Sequence, residues 1–176
     1  MSVWIFGYGS LMWDRKWQQD FGCRRVEMAE IQGFRRIFNK PSTINRGTPE
    51  NPGVTLNLIA ENNAICTGYA MEFDDHIHDD LFADLDSREQ HYTKHQRLVR
   101  LTKSGEAIAA HLYIYEHDNV IKSDCCNHLA QLALNAHGVR GSGRDYIINI
   151  AEELNRLGIA DPEVSRVYQA LQRHLA

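Results

Sequence analysis

Val3-Trp4-Ile5-Phe6-Gly7-Tyr8-Gly9-Ser10-Leu11-Met12-Trp13 opens the chain with an apolar run that breaks at two closely spaced glycines and then resumes. Glycines this close weaken any strand or helix that passes through them. Val3–Phe6 therefore reads as a buried strand, and Gly7–Ser10 as a turn delivered at its end. The pair Gly7-x-Gly9 begins a dinucleotide fingerprint, but Met12 stands where the third glycine belongs, so that reading fails. Ser10 lacks the G-x-S-x-G setting of a hydrolase nucleophile elbow.

Beyond the turn, the first two-thirds of the chain read mainly as strands: 3–6, 25–31, 34–38, 54–59, 65–73, 96–101 and 107–115. In the last of these Ile108, Ala110, Leu112 and Ile114 alternate with Ala109, His111, Tyr113 and Tyr115. Glu61-Asn62-Asn63 and Lys103-Ser104-Gly105 read as hairpin turns, which implies antiparallel pairing. Residues 45–53, with two prolines and two glycines, read as a loop.

The last third is helical. Asp124 caps a first helix carrying Leu129, Leu132 and Ala133 inward and stopping at Gly138. A second follows Gly143 with Ile147, Ile150, Ala151 and Leu154 on one face, ending at Gly158. Asp161-Pro162-Glu163 starts a third, with Val164, Val167, Tyr168 and Leu171 as its stripe. Strands followed by helices give an α+β domain, taken as one domain over 1–176 with no repeat or linker.

One helix interrupts the strands, at about 78–91. Asp79 and Asp80 suit its first turn, and Leu81 and Leu85 share a face onto which Glu89 also falls. A carboxylate on a core-facing stripe is costly unless it is paired, solvated in a cleft or neutral. Glu89 is thus either an ion-pair partner of Lys94 or Arg97 or a carboxylate with raised proton affinity, poised for proton transfer. Arg88, its neighbour on the helix, is expected to point elsewhere.

Composition excludes several classes. A formal net charge of −4 and a pI of about 6.1 leave no electrostatic footprint for nucleic acid, and Arg24-Arg25 and Arg35-Arg36 suit solvated strand ends. No apolar stretch suggests a membrane span, and the N-terminus lacks the basic start and cleavage pattern of a signal peptide. Cys23, Cys66 and the adjacent Cys125-Cys126 show no C-x-x-C spacing, which fits the reducing cytoplasm. The run Asp74-Asp75-His76-Ile77-His78-Asp79-Asp80 reads as an acidic helix start, with no metal assigned. Gly138–Asp145 has phosphate-loop glycine spacing, but Arg144 and Asp145 stand where lysine and serine or threonine belong, and a helix precedes it. The nine histidines form no constellation.

With these residues in hand, the opening V-W-I-F-G-Y-G-S-L-M-W resembles the N-terminal signature of the ChaC family of γ-glutamylcyclotransferases. Arg46-Gly47-Thr48-Pro49-Glu50-Asn51-Pro52-Gly53 is similar to its R-G-x-P-x-x-P-G loop, and Gly68-Tyr69-Ala70 to a following strand. Leu85-Asp86-Ser87-Arg88-Glu89 resembles its L-D-x-R-E segment, and Ser142-Gly143-Arg144-Asp145-Tyr146 its S-G-R-x-x-Y pattern with one residue fewer before the tyrosine. The order is the same, and the resemblance spans about residues 3 to 170.

That resemblance implies a γ-glutamylcyclotransferase-like fold, a mixed, mostly antiparallel barrel-like sheet with packed helices. It implies a lyase that cleaves glutathione to 5-oxoproline and cysteinylglycine, with a small-molecule substrate, no nucleic acid or membrane as partner, and no cofactor or metal. It makes Glu89 the catalytic acid/base and assigns substrate binding to Ile5, Phe6, Gly7, Tyr8, Gly9, Ser10 and Leu11, with Tyr146 as either a site or a core tyrosine. After R-E, glutathione-specific members continue K-G-G-Y, whereas this chain has Gln90-His91-Tyr92. The segment before R-G differs as well. Other γ-glutamyl-amino acids or γ-glutamylamines, and a non-catalytic γ-glutamyl-binding module, stand as the alternatives.

Overall fold

The structure, a computed structural model, describes Met1–Ala176. Its elements run β1 (Ser2–Gly7), a 3₁₀ turn (Ser10–Met12), α1 (Arg15–Asp20), β2 (Arg25–Ser42), β3 (Gly53–Asp74), a second 3₁₀ turn (Asp75–Ile77), α2 (His78–Arg88), β4 (Thr93–Leu101) and β5 (Ala107–Ile114). They continue with α3 (Cys126–Asn135), a short ribbon of β6 (His137–Gly138) and β7 (Gly141–Ser142), α4 (Gly143–Arg156) and α5 (Pro162–Leu175). The expected α+β class is what forms: a closed barrel in the order β1-β3-β2-β4-β5 accompanied by helices.

The barrel is antiparallel at β1–β3, β2–β4 and β4–β5, and it closes through one parallel contact between β1 and β5, Ile5 opposite His111. Closure leaves no free sheet edge, which removes the hazard of unpaired strand backbone.

Two strands are longer than the sequence pattern implies. Residues 25–31 and 34–38 are one continuous strand, and so are 54–59 and 65–73. The turn expected at Glu61-Asn62-Asn63 does not form. Gly33 (φ +80°) and Asn63 (φ +63°) take left-handed conformations inside their strands. Glycine and asparagine are the residues that visit this region readily, so the signal for a reversal was instead an irregularity in a continuing strand. The turn at 103–105 does form, with Gly105 at φ +74° and its N–H donating to Leu101 O at 2.8 Å. Helix α1 was missed because its six residues are too few to show a period.

The chain divides into two compact units, Met1–Arg35 with Leu58–Glu116, and Arg36–Asn57 with His117–Ala176. In the first, the core is built from Ile5 and Phe6 of β1, Ala70, Met71 and Phe73 of β3, Leu81 and Leu85 of α2, and Ala110 and Leu112 of β5, all at most 1% exposed. In the second, α3, α4 and α5 pack on one another through Leu129, Ala133, Ile147, Ile150, Val167 and Leu171.

Asp161 does two jobs in the second unit. It caps α5, accepting from Val164 N at 3.0 Å, and it receives the buried Arg36 guanidinium at 3.0 Å. Pro162 occupies the first helical turn as expected. The cap of α3 is different from the expected one: Cys125 holds that position without a side-chain bond, and α3 ends at Asn135 rather than running to Gly138.

Three glycines that suggested a phosphate loop or marked the R-G-x-P segment have packing reasons instead. A Cβ on Gly138 would stand 2.3 Å from Ile44 O, one on Gly47 2.3 Å from Gly53 N, and one on Gly143 2.7 Å from Ala133 O. The acidic run at 74–80 serves helix starts: Asp74 accepts from His76 N at 3.3 Å and pairs with Arg24 at 3.1 Å.

Candidate active site

Strand β1 ends where its pairing with β3 ends, Gly7 opposite Tyr69. The backbone then turns through Gly9 (φ −131°, ψ −128°) into the 3₁₀ turn, where Met12 N donates to Gly9 O at 2.9 Å and Trp13 N to Ser10 O at 3.3 Å. The amides of Ser10 and Leu11 precede the first bonded donor of that turn and so lack an intrahelical acceptor. Gly7 is buried, and a Cβ there would lie 3.0 Å from both Leu11 Cβ and Met71 Cε.

The apolar residues before the turn are buried. Ile5 and Phe6 are 0% and 1% exposed, so both are closed to solvent although, as consecutive strand residues, they point to opposite faces of the sheet. Tyr8 is buried as well, and its hydroxyl donates to the carbonyl of Tyr113 on β5 at 2.6 Å, which anchors the turn to the barrel. Leu11 is 6% exposed, while Gly9 and Ser10 are partly open. Of the eight expected binding residues, Tyr146 belongs to the second unit. There its hydroxyl accepts from Leu56 N at 3.1 Å and its ring meets Phe38 edge-on.

Glu89 follows directly on α2, which ends at Arg88, three residues short of the expected 78–91 span. Leu81 and Leu85 face the core at 0% exposure, as the spacing requires, and Glu89 N still donates to Leu85 O at 2.7 Å. Its own backbone has left the helix, at φ −95° and ψ 44°. The side chain is 15% exposed. Neither Lys94 nor Arg97 is shown against it: Lys94 Nζ lies 3.4 Å from Asp86, and Arg97 bonds to Gln96 O and His95.

The cation beside Glu89 is Arg88, Nε to Oε1 at 3.5 Å. Contrary to the expectation that it would point away, Arg88 is 4% exposed and central to the cluster. Its Nη1 donates to Asp14 Oδ2 at 2.7 Å and its Nη2 to Ser10 Oγ at 3.1 Å. Asp14 is held in turn as the cap of α1, accepting from Trp17 N at 3.0 Å. The motif halves at Gly7–Ser10 and Leu85–Glu89, 78 residues apart at Ser10 and Arg88, thus meet through one guanidinium.

Asp86, on the turn before Glu89, accepts from the Tyr113 hydroxyl at 2.7 Å. Burial first, and then this bond and the charges of Asp86 and Glu89, push the Tyr113 phenol well above its ordinary 10.0. It therefore remains a proton-bearing donor across the range in which enzymes work. Asp86 and Tyr113 were missed at the sequence level because nothing local signals a pairing across 27 positions.

A raised phenol value in the fold carries no pH dependence below about pH 10, where folded and unfolded chains both keep the proton. Above that, the unfolded chain releases it first, so stability falls as pH rises. Urea midpoints measured from about pH 9 to 11 are expected to drop less steeply for Tyr113→Phe than for the parent. Parallel slopes would contradict this environment for Tyr113.

After Glu89 the chain turns tightly, Tyr92 N donating to Glu89 O at 3.1 Å, with His91 at φ +72°. A left-handed residue here explains why glycines are suited to this segment; histidine tolerates the region better than most non-glycine residues. Tyr92 stacks edge-on with Tyr115 at 5.8 Å.

The model of the ChaC-like protein family matches residues 3–174. The chain belongs to the ChaC family. Similar proteins include γ-glutamylcyclotransferase 2-3 of Arabidopsis thaliana, 31% identical over 175 residues that cover 94% of this chain and 86% of the relative. The glutathione-specific γ-glutamylcyclotransferase of Escherichia coli K12 is 27% identical over 188 residues, covering 99% of this chain and 74% of that one. The fold is that of a yeast γ-glutamyl cyclotransferase specific to glutathione, with a TM-score of 0.87 at 21% identity over 98% of this chain and 96% of that one. Within this ChaC chain, the Y-G-S-L, G-Y-A and L-D-x-R-E segments fall in the first unit, and R-G-x-P-x-x-P-G and S-G-R-D-Y in the second.

Proposed function

We propose that this chain is a γ-glutamylcyclotransferase that converts glutathione to 5-oxoproline and cysteinylglycine, with Glu89 as its acid/base. The observation that carries the reading is the meeting of the Gly7–Leu11 turn and Glu89 at Arg88, 3.1 Å from Ser10 Oγ and 3.5 Å from Glu89 Oε1. It brings backbone donors, a hydroxyl and a carboxylate to one place. The names of the Arabidopsis, bacterial and yeast relatives support the substrate class.

The nucleophile is the α-amino group of the substrate, already tethered to the γ-carbonyl it attacks. The protein gains most by holding the conformer in which the five-membered lactam closes. Glu89 takes a proton from the α-ammonium as nitrogen bonds to the γ-carbon. The resulting oxyanion is met by the N–H groups of the Gly9–Leu11 backbone. Collapse breaks the γ-amide bond as Glu89 returns its proton to the departing cysteinyl nitrogen, and the second proton of the attacking nitrogen then passes over the same carboxylate, leaving a neutral lactam N–H and a cysteinylglycine ammonium. No water is consumed, and the atoms of glutathione divide fully between the two products.

Ser10 is partly open and is assigned to the substrate's polar end. Ile5, Phe6 and Gly7 act by packing the turn, and Tyr8 and Leu11 by closing it. Tyr146 is assigned to holding Leu56. We also read residues 1–176 as one domain, supported by the continuity of β2 and β3 through both units, and place it in the cytoplasm on its cysteine pattern. No helix is long and apolar enough to cross a membrane.

The test is product analysis on purified protein: 5-oxoproline and cysteinylglycine are expected in equal amounts from glutathione, and at a higher kcat/KM than from γ-glutamyl-amino acids or γ-glutamylamines. Preference for one of the latter moves the substrate and keeps the chemistry. Saturable binding of glutathione in calorimetry with neither product formed would overturn the enzyme reading.

A further inference from the structure

Arg88 has more contacts than a surface ion pair requires, and each goes to a different part of the site. Its side chain is 4% exposed and lies 5.8 Å from the Trp17 ring centroid. Asp14 offsets its charge at 2.7 Å, while its remaining two faces reach Ser10 Oγ at 3.1 Å and Glu89 Oε1 at 3.5 Å. A planar fork can serve three such partners in one plane; an ammonium, with a single nitrogen, cannot.

Resting on the proposed function, we infer that Arg88 is a positioning residue that sets two substrate-facing groups at once, the hydroxyl of Ser10 and the carboxylate of Glu89. Arg88 can only donate, so the Ser10 oxygen must accept from it. The Ser10 hydroxyl proton is then turned away from Arg88, and no protein acceptor takes it. Arg88 thereby makes Ser10 a donor aimed at an anionic or carbonyl oxygen of the ligand. That chemistry matches the α-carboxylate of a γ-glutamyl group. At Glu89, the same cation restrains a carboxylate whose backbone is no longer held in helical geometry, so that the proton acceptor keeps one position relative to the substrate amine.

The two roles separate kinetically. Ser10→Ala removes a binding contact and is expected to raise KM about tenfold with kcat little changed. Arg88→Lys keeps the charge opposite Asp14 but loses the fork; it is expected to raise KM similarly and also lower kcat by roughly 10- to 100-fold through the displaced carboxylate. The double variant is the decisive measurement. Because Arg88 acts on binding through Ser10, the double variant should show the KM of Ser10→Ala alone and the kcat of Arg88→Lys alone.

Multiplying KM effects in the double variant would overturn the inference, and so would an Arg88→Lys protein with parental kcat and KM. A merely structural lesion would lower the melting temperature and the active fraction without producing this split. Should Arg88→Lys fold poorly, Arg88→Met combined with Asp14→Asn removes both charges together while keeping a good helix cap, and the same kinetic pattern is required of it. A parent protein without turnover of any γ-glutamyl compound removes the proposed function and this inference together. Parental turnover with multiplying losses removes the role of Arg88 alone.

Discussion

Glu89→Gln is expected to fold as the parent does and to lose about 10³-fold or more in kcat, at the upper range of what a positioned acid/base contributes. The amide matches the carboxylate in size and can keep an oxygen where Glu89 Oε1 now lies, 3.5 Å from Arg88 Nε, but it takes no proton from an ammonium at neutral pH. The substrate amine then stays protonated and has no lone pair for the γ-carbonyl. The turn and its oxyanion donors remain, so KM should change little, which marks a loss confined to the chemical step.

The fold should tolerate this exchange for a specific reason. Arg88 keeps Asp14 at 2.7 Å, so removing the Glu89 charge does not strand a buried cation. Assay of 5-oxoproline release beside a thermal melt checks both halves. Turnover within about threefold of the parent would take Glu89 out of the proton-transfer step.

The second large effect falls on stability. Gly68→Val is expected to destabilise the first unit by about 3 kcal/mol or more and to abolish turnover. A Cβ at position 68 would stand 2.3 Å from Gly7 O and 3.1 Å from Phe6 Cζ, and the nearer of these is backbone that cannot rotate away. Strand β1 must then move off β3 at its last pair, Gly7 with Tyr69, which is where the turn begins. For a chain of this size the loss corresponds to a fall in melting temperature of roughly 6–12 °C. Gly105→Ala is the control for the loss of a glycine as such, since nothing lies within 4 Å of its added carbon. Its strain at φ +74° is local to an exposed hairpin. A Gly68→Val protein with the parental melting temperature would mean that β1 and β3 are not packed as described.

Much of the site could be read before folding because the chemistry sits on short local patterns. The stripe Leu81-Leu85-Glu89 needs only the helical period, and both leucines are fully buried as that period demands. The turn at Gly7–Ser10 needs only the conformational permissiveness of glycine. The start of α5 at Asp161-Pro162 needs only capping chemistry, and Asp161 Oδ1 does accept from Val164 N. Where the local pattern misled, another interaction outweighed it: Asn63 marked a turn by propensity, but continuous strand pairing absorbed its left-handed backbone within β3.

By itself, then, the sequence determined that a carboxylate would stand at the end of an amphipathic helix and that a glycine-broken strand end would form a turn. Both follow from periodicity and residue-level sterics, which act over a few residues. Only the tertiary structure decided how the two halves are joined. A helix places adjacent residues about 100° apart, which would turn Arg88 away from Glu89. Glu89 instead leaves the helix at φ −95° and ψ 44°, and the two side chains converge to 3.5 Å. The glycines of the turn changed meaning as well. Gly7 is small because Leu11 and Met71 close on it, and Gly68 because the Gly7 carbonyl crosses it. Such approaches are set by strands pairing across 62 positions of chain, a distance over which no local pattern carries information.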